Sequence, residues 1–257
     1  MWHYTESGAG RPLVLLHGIG MSGAAWNRVT PYLSAFRKLI VFDIAGFGLT
    51  PPLPEGVPPT SANLAAALEN SVRAMGLNGP VDIAGNSLGG LIALDAARRG
   101  FARSVVAISP PGLWTDHPSL HVKYVFQSLR FLATNVPATL RAIVRRSLLR
   151  ELAFAVPISI GSRRMPIDDA VTAVNDLAVA TGFEDTFACT APAFSGHEIA
   201  VPVTVAFGDR DCIILKTSRR RDGLPAHTRW IAMPKWGHVP MWVDPVGVAQ
   251  LILDGAR

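Results

Sequence analysis

The chain has 257 residues, of which 49% are hydrophobic and 17% are charged, so it can bury a large core and is too apolar to be disordered. This length fits one α/β domain with room for an inserted subdomain. The formal net charge is +5, yet no basic motif interleaved with aromatic residues and no zinc-ligand spacing accompanies it, so no nucleic-acid partner is expected.

Six short runs rich in Val, Ile and Leu alternate with helical patterns and predict β-strands. They lie at residues 13–16, 39–42, 81–84, 104–109, 203–207 and 228–232. Continuous apolar strands separated by helices are typical of a parallel sheet that is covered by helices on both faces. In such a sheet, functional groups gather at the carboxyl ends of the strands.

The alternation stops between residues 113 and 200, where the sequence is helical and interrupted by prolines. Because this segment shows no strand pattern of its own, it predicts a helical cap inserted into a core made of residues 1–112 and 201–257. Apolar residues at helical spacing predict helices near residues 122–132, 137–151 and 167–181.

The sequence also predicts the positions of two sets of side chains, in this cap and outside it. In the helix at 137–151, the residues expected to face inward are Leu140, Ile143, Val144 and Leu148. The aromatic residues that are candidates for lining an apolar pocket are Trp26, Trp114, Phe126, Phe131, Phe154 and Trp242. For each of these aromatic residues, packing in the core is the commoner alternative.

The run Gly85-Asn86-Ser87-Leu88-Gly89-Gly90 is the strongest chemical signal in the chain. It follows a predicted strand and opens a helical stretch that closes at Gly100. Gly-x-Ser-x-Gly in a strand–turn–helix context forms a sharp turn that presents the serine hydroxyl to a pocket. The sequence therefore predicts that Ser87 is a nucleophile, and that the backbone N–H of Leu88 stabilises an oxyanion.

An activated serine needs a base, and the base needs a group that orients it. Downstream of Ser87, Asp209 and Asp211 follow one predicted strand, and His238 follows the next. Both loops should therefore lie at the same sheet edge as Ser87. The chain order of nucleophile, acid and histidine is the one that accompanies this turn. The residues alone leave Asp209 and Asp211 both open as the acid.

Over nearly its whole length, the chain resembles the α/β-hydrolase superfamily. The pieces that carry the resemblance are Leu15-Leu16-His17-Gly18, Asp43 to Gly48, Gly85 to Gly90, Gly208-Asp209-Arg210-Asp211 and Gly237-His238. The resemblance implies an α/β-hydrolase fold with Ser87 as nucleophile, Asp211 as acid and His238 as base. It further implies that the backbone N–H of Ile19 is the second oxyanion donor and that His17 braces the loop.

The chain departs from the family pattern in two places. The loop after Asp43 has Ala45 where Arg or Pro is usual and Thr50 where Ser is common. The chain also begins close to the second strand of the family, so the usual first strand is expected to be missing or very short.

These observations predict a serine hydrolase that cleaves carboxylic esters with small to medium apolar acyl groups. The alternatives are a carbon–carbon hydrolase of ring-cleavage diketones, a perhydrolase or haloperoxidase, and a ligand-binding receptor without enzymatic activity. Haloalkane dehalogenases and epoxide hydrolases are disfavoured, because both resemble this fold but place Asp at the position of Ser87. The expected partner is a small-molecule ester, and no metal or organic cofactor is implied.

The sequence also carries expectations about location and assembly. No apolar run of about 18 residues appears, so no transmembrane helix is expected. The first residues lack the pattern of a signal peptide, and two cysteines, Cys189 and Cys212, make no disulfide framework. A cytoplasmic protein without stable membrane association is expected, and the oligomeric state stays open.

Overall fold

The computed structural model describes residues 1–113, 120–155, 158, 160–189 and 193–256 of the chain. Its strands are β1 (Tyr4–Ser7), β2 (Pro12–Leu16), β3 (Lys38–Phe42), β4 (Val81–Asn86), β5 (Ala102–Ile108), β6 (Val203–Gly208) and β7 (Arg229–Met233). Within the described residues they form one sheet in the order β1-β3-β2-β4-β5-β6-β7. The first strand pairs antiparallel with β3, and the other neighbours run parallel.

The predicted α/β architecture is confirmed, and each of the six predicted strands lies within two residues of its expected bounds. The strand that the sequence analysis expected to be missing or very short is β1. It has four residues, three of them exposed. Backbone pairing with β3 holds this strand at the sheet edge. Its sequence, Tyr-Thr-Glu-Ser, is polar and therefore shows no apolar run.

Helices cover both faces of the sheet. In the parts of the chain outside residues 120–189, they are α1 (Thr30–Leu33), α2 (Ser61–Ala74), α3 (Leu88–Arg98) and α9 (Pro245–Gly255). Alternate strand residues point to opposite faces, so Val14 and Leu16 pack in the cluster that includes α2 and α3. Leu13 and Leu15 pack on the other face, in the cluster that includes residues of α1 and α9. The sheet is therefore buried on both sides, which is why its strands read as continuous apolar runs.

Residues 120–189, called the helical segment below, lie between β5 and β6. Its helices are α4 (Leu120–Asn135), α5 (Pro137–Arg145), α6 (Ser147–Ala155), α7 (Ile167–Val179) and α8 (Phe183–Cys189). Val144, Phe154, Met165, Ala170 and Val174 form a small buried cluster of their own. In the described part of the chain, no helix is both long and apolar enough to cross a membrane.

The prediction of one helix over 137–151 is wrong, because the chain breaks at Arg146 into α5 and α6. Arg146 adopts an extended backbone with φ −95° and ψ 119°. The side chain of Arg150 turns inward and donates to the carbonyl of Val144 at 2.6 Å and to that of Ser162 at 3.3 Å. A buried guanidinium thus satisfies a carbonyl at the end of α5, where the helix dipole favours positive charge.

The break also changes which side chains of this region are buried. Leu148 was expected to face inward, but its side chain is 61% exposed. Val144 is fully buried, and Leu140 and Ile143 are partly buried, as expected. A continuous helix would keep Leu148 on the face of Val144, whereas the extended residue between them rotates α6 and turns Leu148 outward.

Candidate active site

Ser87 lies in the sharp turn between β4 and α3, with φ 52° and ψ −119°. This conformation is rare for a residue with a side chain and costs about 1–3 kcal/mol. The turn needs glycine on both sides: a Cβ atom on Gly85 would collide with the backbone of Gly89, and one on Gly89 with that of Leu16. The Ser87 N–H donates to the Ile108 carbonyl at 2.8 Å, which holds the turn against β5.

His238 and Asp211 form a buried pair at the same edge of the sheet. Nδ1 of His238 lies 3.0 Å from Oδ2 and 3.1 Å from Oδ1 of Asp211. Oδ1 of Asp211 also accepts the backbone N–H groups of Ile213 and Ile214, both at 2.9 Å. The carboxylate is therefore fixed from two sides, and it is placed to hold the Nδ1–H tautomer of the histidine.

Opposing effects act on the carboxyl group of Asp211. Burial alone would raise its pKa, but the charge and hydrogen bond of His238, with the Ile214 N–H, lower the pKa below its ordinary value. Asp211 therefore stays ionised at neutral pH. Asp209, the other candidate, points elsewhere: its side chain is 36% exposed and lies 3.2 Å from Nζ of Lys216.

Asn86 connects the nucleophile turn to the loop of the histidine, and sequence reasoning missed this contact. Its Nδ2 donates to the backbone carbonyl of His238 at 2.8 Å and to that of Ile108 at 3.3 Å. Asn86 is fully buried beside Ser87. One side chain thus fixes the main chain of the candidate base relative to the strand that carries the candidate nucleophile.

The loop after β2 passes directly over Ser87. A Cβ atom on Gly18 would lie 3.3 Å from Cβ of Ser87, so a side chain there would crowd the nucleophile. Ile19 follows Gly18 in this loop, and Leu88 opens α3 behind Ser87. Ile19 therefore lines the same cavity as Ser87, and Leu88 is the next residue along the chain, so both residues expected to supply oxyanion donors lie in its surroundings.

His17 braces this loop through both ring nitrogens. Nδ1 donates to the carbonyl of Gly18 at 2.7 Å, and Nε2 accepts the N–H of Ile44 at 2.9 Å. Burial lowers the pKa of His17 from 6.5 to about 4, although the Gly18 hydrogen bond and the charge of Asp43 act in the opposite direction. The ring is therefore neutral, and Nε2 stays an acceptor for Ile44.

We expect His17 to make the fold sensitive to mild acid. In the unfolded chain His17 is protonated near its ordinary pKa of 6.5, whereas in the folded chain it is protonated only near pH 4. The contribution of neutral His17 to stability is therefore full above pH 6.5 and is lost as the pH falls towards 4. Over this pH range the free energy of unfolding decreases by up to about 3 kcal/mol. Urea unfolding of the wild type and His17→Gln at about pH 7 and about pH 4.5 measures it. A variant that loses as much stability as the wild type would contradict this assignment.

Ser87 and His238 open into one cavity between the sheet edge and the helical segment. The space between these walls measures about 740 Å³, a volume that includes open solvent. Its apolar lining comprises Ile19, Met21, Phe126, Leu129, Leu140, Ala153, Phe154, Ile158, Ala173, Val174, Leu177, Ile213, Val239 and Trp242. Among the described residues that line it, none is Lys, Arg, Asp or Glu. The site therefore suits an uncharged apolar molecule.

The six aromatic candidates for the pocket have different positions. Phe126, Phe154 and Trp242 line the cavity. Trp26 is fully buried in the core, and Phe131 is 64% exposed on the surface. Trp114 lies outside the described residues. Among the described residues, no group of three or more His, Cys, Asp or Glu side chains is placed to hold a metal ion.

A mostly parallel sheet with a sharp serine turn and a buried Asp–His pair beside a cavity is the arrangement typical of α/β hydrolases. The sequence pattern of the "Alpha/beta hydrolase family" matches residues 13–251. The chain belongs to this family, and hydrolysis is the class of reaction that its relatives share.

Two relatives by sequence and one structural neighbour illustrate the similarity. The chain is 29% identical to "Epoxide hydrolase EphH" of Mycobacterium tuberculosis over 208 residues, covering 75% of this chain and 93% of that protein. It is 27% identical over 171 residues to "2-hydroxy-6-oxo-6-(2'-aminophenyl)hexa-2,4-dienoic acid hydrolase" of Metapseudomonas resinovorans, covering 65% and 52%. In fold it is similar to a thermophilic esterase from Thermogutta terrifontis, with TM-score 0.71, 19% identity and coverage of 98% and 91%.

Proposed function

We propose that this hydrolase is a serine carboxylesterase acting on uncharged esters with small to medium apolar acyl groups. One observation carries the proposal: His238, which is paired with the buried Asp211, lines the same cavity as Ser87 at one edge of the sheet. In this proposal the helical segment, within residues 113–200, serves as the cap over the site. The core then comprises residues 1–112 and 201–257.

The reaction runs through an acyl-enzyme. Nε2 of His238 takes the proton of the Ser87 hydroxyl while Oγ attacks the ester carbonyl. The resulting oxyanion accepts hydrogen bonds from the backbone N–H groups of Leu88 and Ile19. His238 then gives the proton to the leaving alcohol as the carbon–oxygen bond breaks. A water molecule, deprotonated by His238, attacks the acyl group and releases the acid, and the proton returns to Ser87 Oγ. Asp211 stabilises the imidazolium formed in each half of the reaction.

The lining of the cavity favours uncharged esters over an acidic substrate of the kind named for the dienoic acid hydrolase. A substrate that carries a carboxylate would bury that charge among Leu140, Val174 and Leu177, with no Lys or Arg among the described lining residues to pair with it. An unpaired buried carboxylate costs several kcal/mol. The uncharged lining therefore favours an ester over a ring-cleavage acid.

An epoxide hydrolase of this fold would need a carboxylate where this chain has Ser87. A carboxylate that opens an epoxide forms an ester, which water can hydrolyse. The hydroxyl of Ser87 would form an ether instead, and an oxyanion site next to a histidine cannot cleave an ether. With serine at this turn, acyl transfer is the chemistry that regenerates the enzyme.

Charge on the acyl group should therefore control the rate. We expect p-nitrophenyl butyrate to be hydrolysed with a kcat/KM at least about 100-fold above that of the p-nitrophenyl monoester of succinate, which has the same length and ends in a carboxylate. Ser87→Ala serves as the background control for both esters. Equal rates for the two esters, or turnover of a ring-cleavage diketone acid only, would contradict the proposal, and binding without turnover would favour a receptor.

A further inference from the structure

Large apolar side chains that are exposed to solvent concentrate on the helical segment. Of the 17 such side chains on the described residues, 10 lie within residues 120–189. Three are in α6: Leu148 is 61% exposed, Leu149 39% and Leu152 67%. Since single exposed leucines are ordinary, it is the cluster on one helix that calls for an explanation.

Helix α6 has two apolar faces. Ala153 and Phe154 on its inner face line the cavity of the candidate active site. Leu148 and Leu152 are four residues apart, so they lie one turn above the other on the outer face, with Leu149 beside them. The inner face suffices to dock the helix on the protein, so the outer leucines contribute little to that packing.

Exposed arginines flank the outer face. Arg145 and Arg146 immediately precede α6 and are exposed, as are Arg163 and Arg164. The 3-10 turn Ser162–Arg164 is fastened to α6, because Glu151 accepts the N–H groups of Gly161 at 2.9 Å and Arg163 at 2.6 Å. These bonds hold the turn that carries Arg163 and Arg164 against α6.

Acidic side chains offset this charge only in part: Asp168 and Asp169 follow at the start of α7, where Asp169 pairs with Arg28. Residues 136–165 contain six arginines and one acidic residue, Glu151. The carboxylate of Glu151 is engaged by the two N–H groups just described, and it is not among the exposed side chains. The surface around α6 therefore combines exposed leucines with a local excess of positive charge.

We propose that this surface docks reversibly on an anionic lipid bilayer. The α6 patch comprises Leu148, Leu149 and Leu152, together with Ile160, which is 52% exposed and precedes the Gly161 that is bonded to Glu151. Arg145, Arg146, Arg163 and Arg164 form its rim. Leucines would enter the boundary between headgroups and acyl chains while the arginines pair with anionic headgroups. The patch lies on the outer side of a wall of the cavity, so docking would bring the candidate site close to the lipid.

Charge favours lipid over a second copy of the chain as the occupant of this patch. A symmetric dimer through α6 would bring together two patches that each carry four arginines at the rim. No stable membrane association was expected from the sequence. The outer face of α6 is exposed, and the contact proposed here is reversible and independent of the reaction catalysed.

The test is co-sedimentation of the full chain with vesicles, without substrate. We expect binding to vesicles of phosphatidylcholine with one quarter phosphatidylglycerol, and at least about tenfold weaker binding to phosphatidylcholine alone or in high salt. Two multiple variants should each bind the anionic vesicles at least about tenfold more weakly than the wild type. One is Leu148→Ser with Leu152→Ser and Ile160→Ser, and the other is Arg145→Gln with Arg146→Gln, Arg163→Gln and Arg164→Gln.

Matched control changes lie at the amino ends of the strands, away from the edge that carries the candidate site. Phe36, which is 66% exposed, precedes β3, and the exposed Arg229 begins β7, so Phe36→Ser and Arg229→Gln should bind as the wild type does. All variants should keep their activity on soluble esters, which shows that they fold. Wild-type chain that stays in solution with anionic vesicles, or patch variants that bind like the wild type, would overturn the proposal. So would self-association that the leucine variant abolishes, because a second copy would then cover the patch.

Discussion

Replacing Ser87 by Ala should reduce kcat on any accepted ester by at least about 10⁴-fold, because no other group then carries the acyl intermediate. The fold should remain intact. The side chain of Ser87 faces the cavity, and the turn is held by backbone contacts such as the Ser87 N–H to the Ile108 carbonyl. Steady-state kinetics with p-nitrophenyl esters, together with thermal unfolding, measures both effects.

The strained backbone of Ser87 provides a sharper control. Glycine tolerates φ 52° and ψ −119° better than alanine does, so Ser87→Gly should be as inactive as Ser87→Ala but more stable by about 1 kcal/mol. Activity that survives in either variant would remove Ser87 from the mechanism. Equal stabilities would show that the turn is less strained than its angles indicate.

The second large effect concerns the acid. We expect Asp211→Asn to lower kcat/KM by about 10⁴-fold, because an amide next to Nδ1 of His238 favours the tautomer in which Nε2 is protonated and cannot accept the serine proton. Asn can still accept the N–H groups of Ile213 and Ile214, so the loop should keep its shape. The kinetics of the purified variant on the best ester give this value directly.

Asp209→Asn is the matched control, two residues away. Asp209 is partly exposed and pairs with Lys216, so its replacement should change kcat/KM by less than about fivefold. The opposite ranking of the two variants would assign the role of acid to Asp209. Equal losses would indicate that the loop as a whole, not one carboxylate, positions His238.

Most of the fold and the grouping of the candidate site could be predicted from local patterns. The inner strands are continuous apolar runs because both of their faces are buried, as at β4 and β5. The candidate catalytic residues follow strand ends, and parallel strands bring their carboxyl ends to one edge. Sequence order was therefore enough to predict that Ser87, His238 and either Asp209 or Asp211 lie at one edge, whereas the choice of Asp211 came from the resemblance.

Features that depend on distant contacts could not be read in this way. Asn86 reaches the carbonyl of His238 across 152 positions of the chain. The break before α6 depends on how Arg150 packs against carbonyls, and β1 is too polar to show a strand pattern. In α6, apolar residues lie on both sides of the helix, so periodicity alone could not determine which side faces inward.

The central claim is that Ser87 carries the acyl group during turnover. Rapid mixing with excess p-nitrophenyl acetate, acid quenching and mass spectrometry of the digested protein tests it directly. The account predicts a burst approaching one equivalent of p-nitrophenol, with a gain of one acetyl group on the peptide that contains Ser87. It also predicts that neither appears in Ser87→Ala. Turnover without an adduct, or an adduct on another residue, would contradict the account.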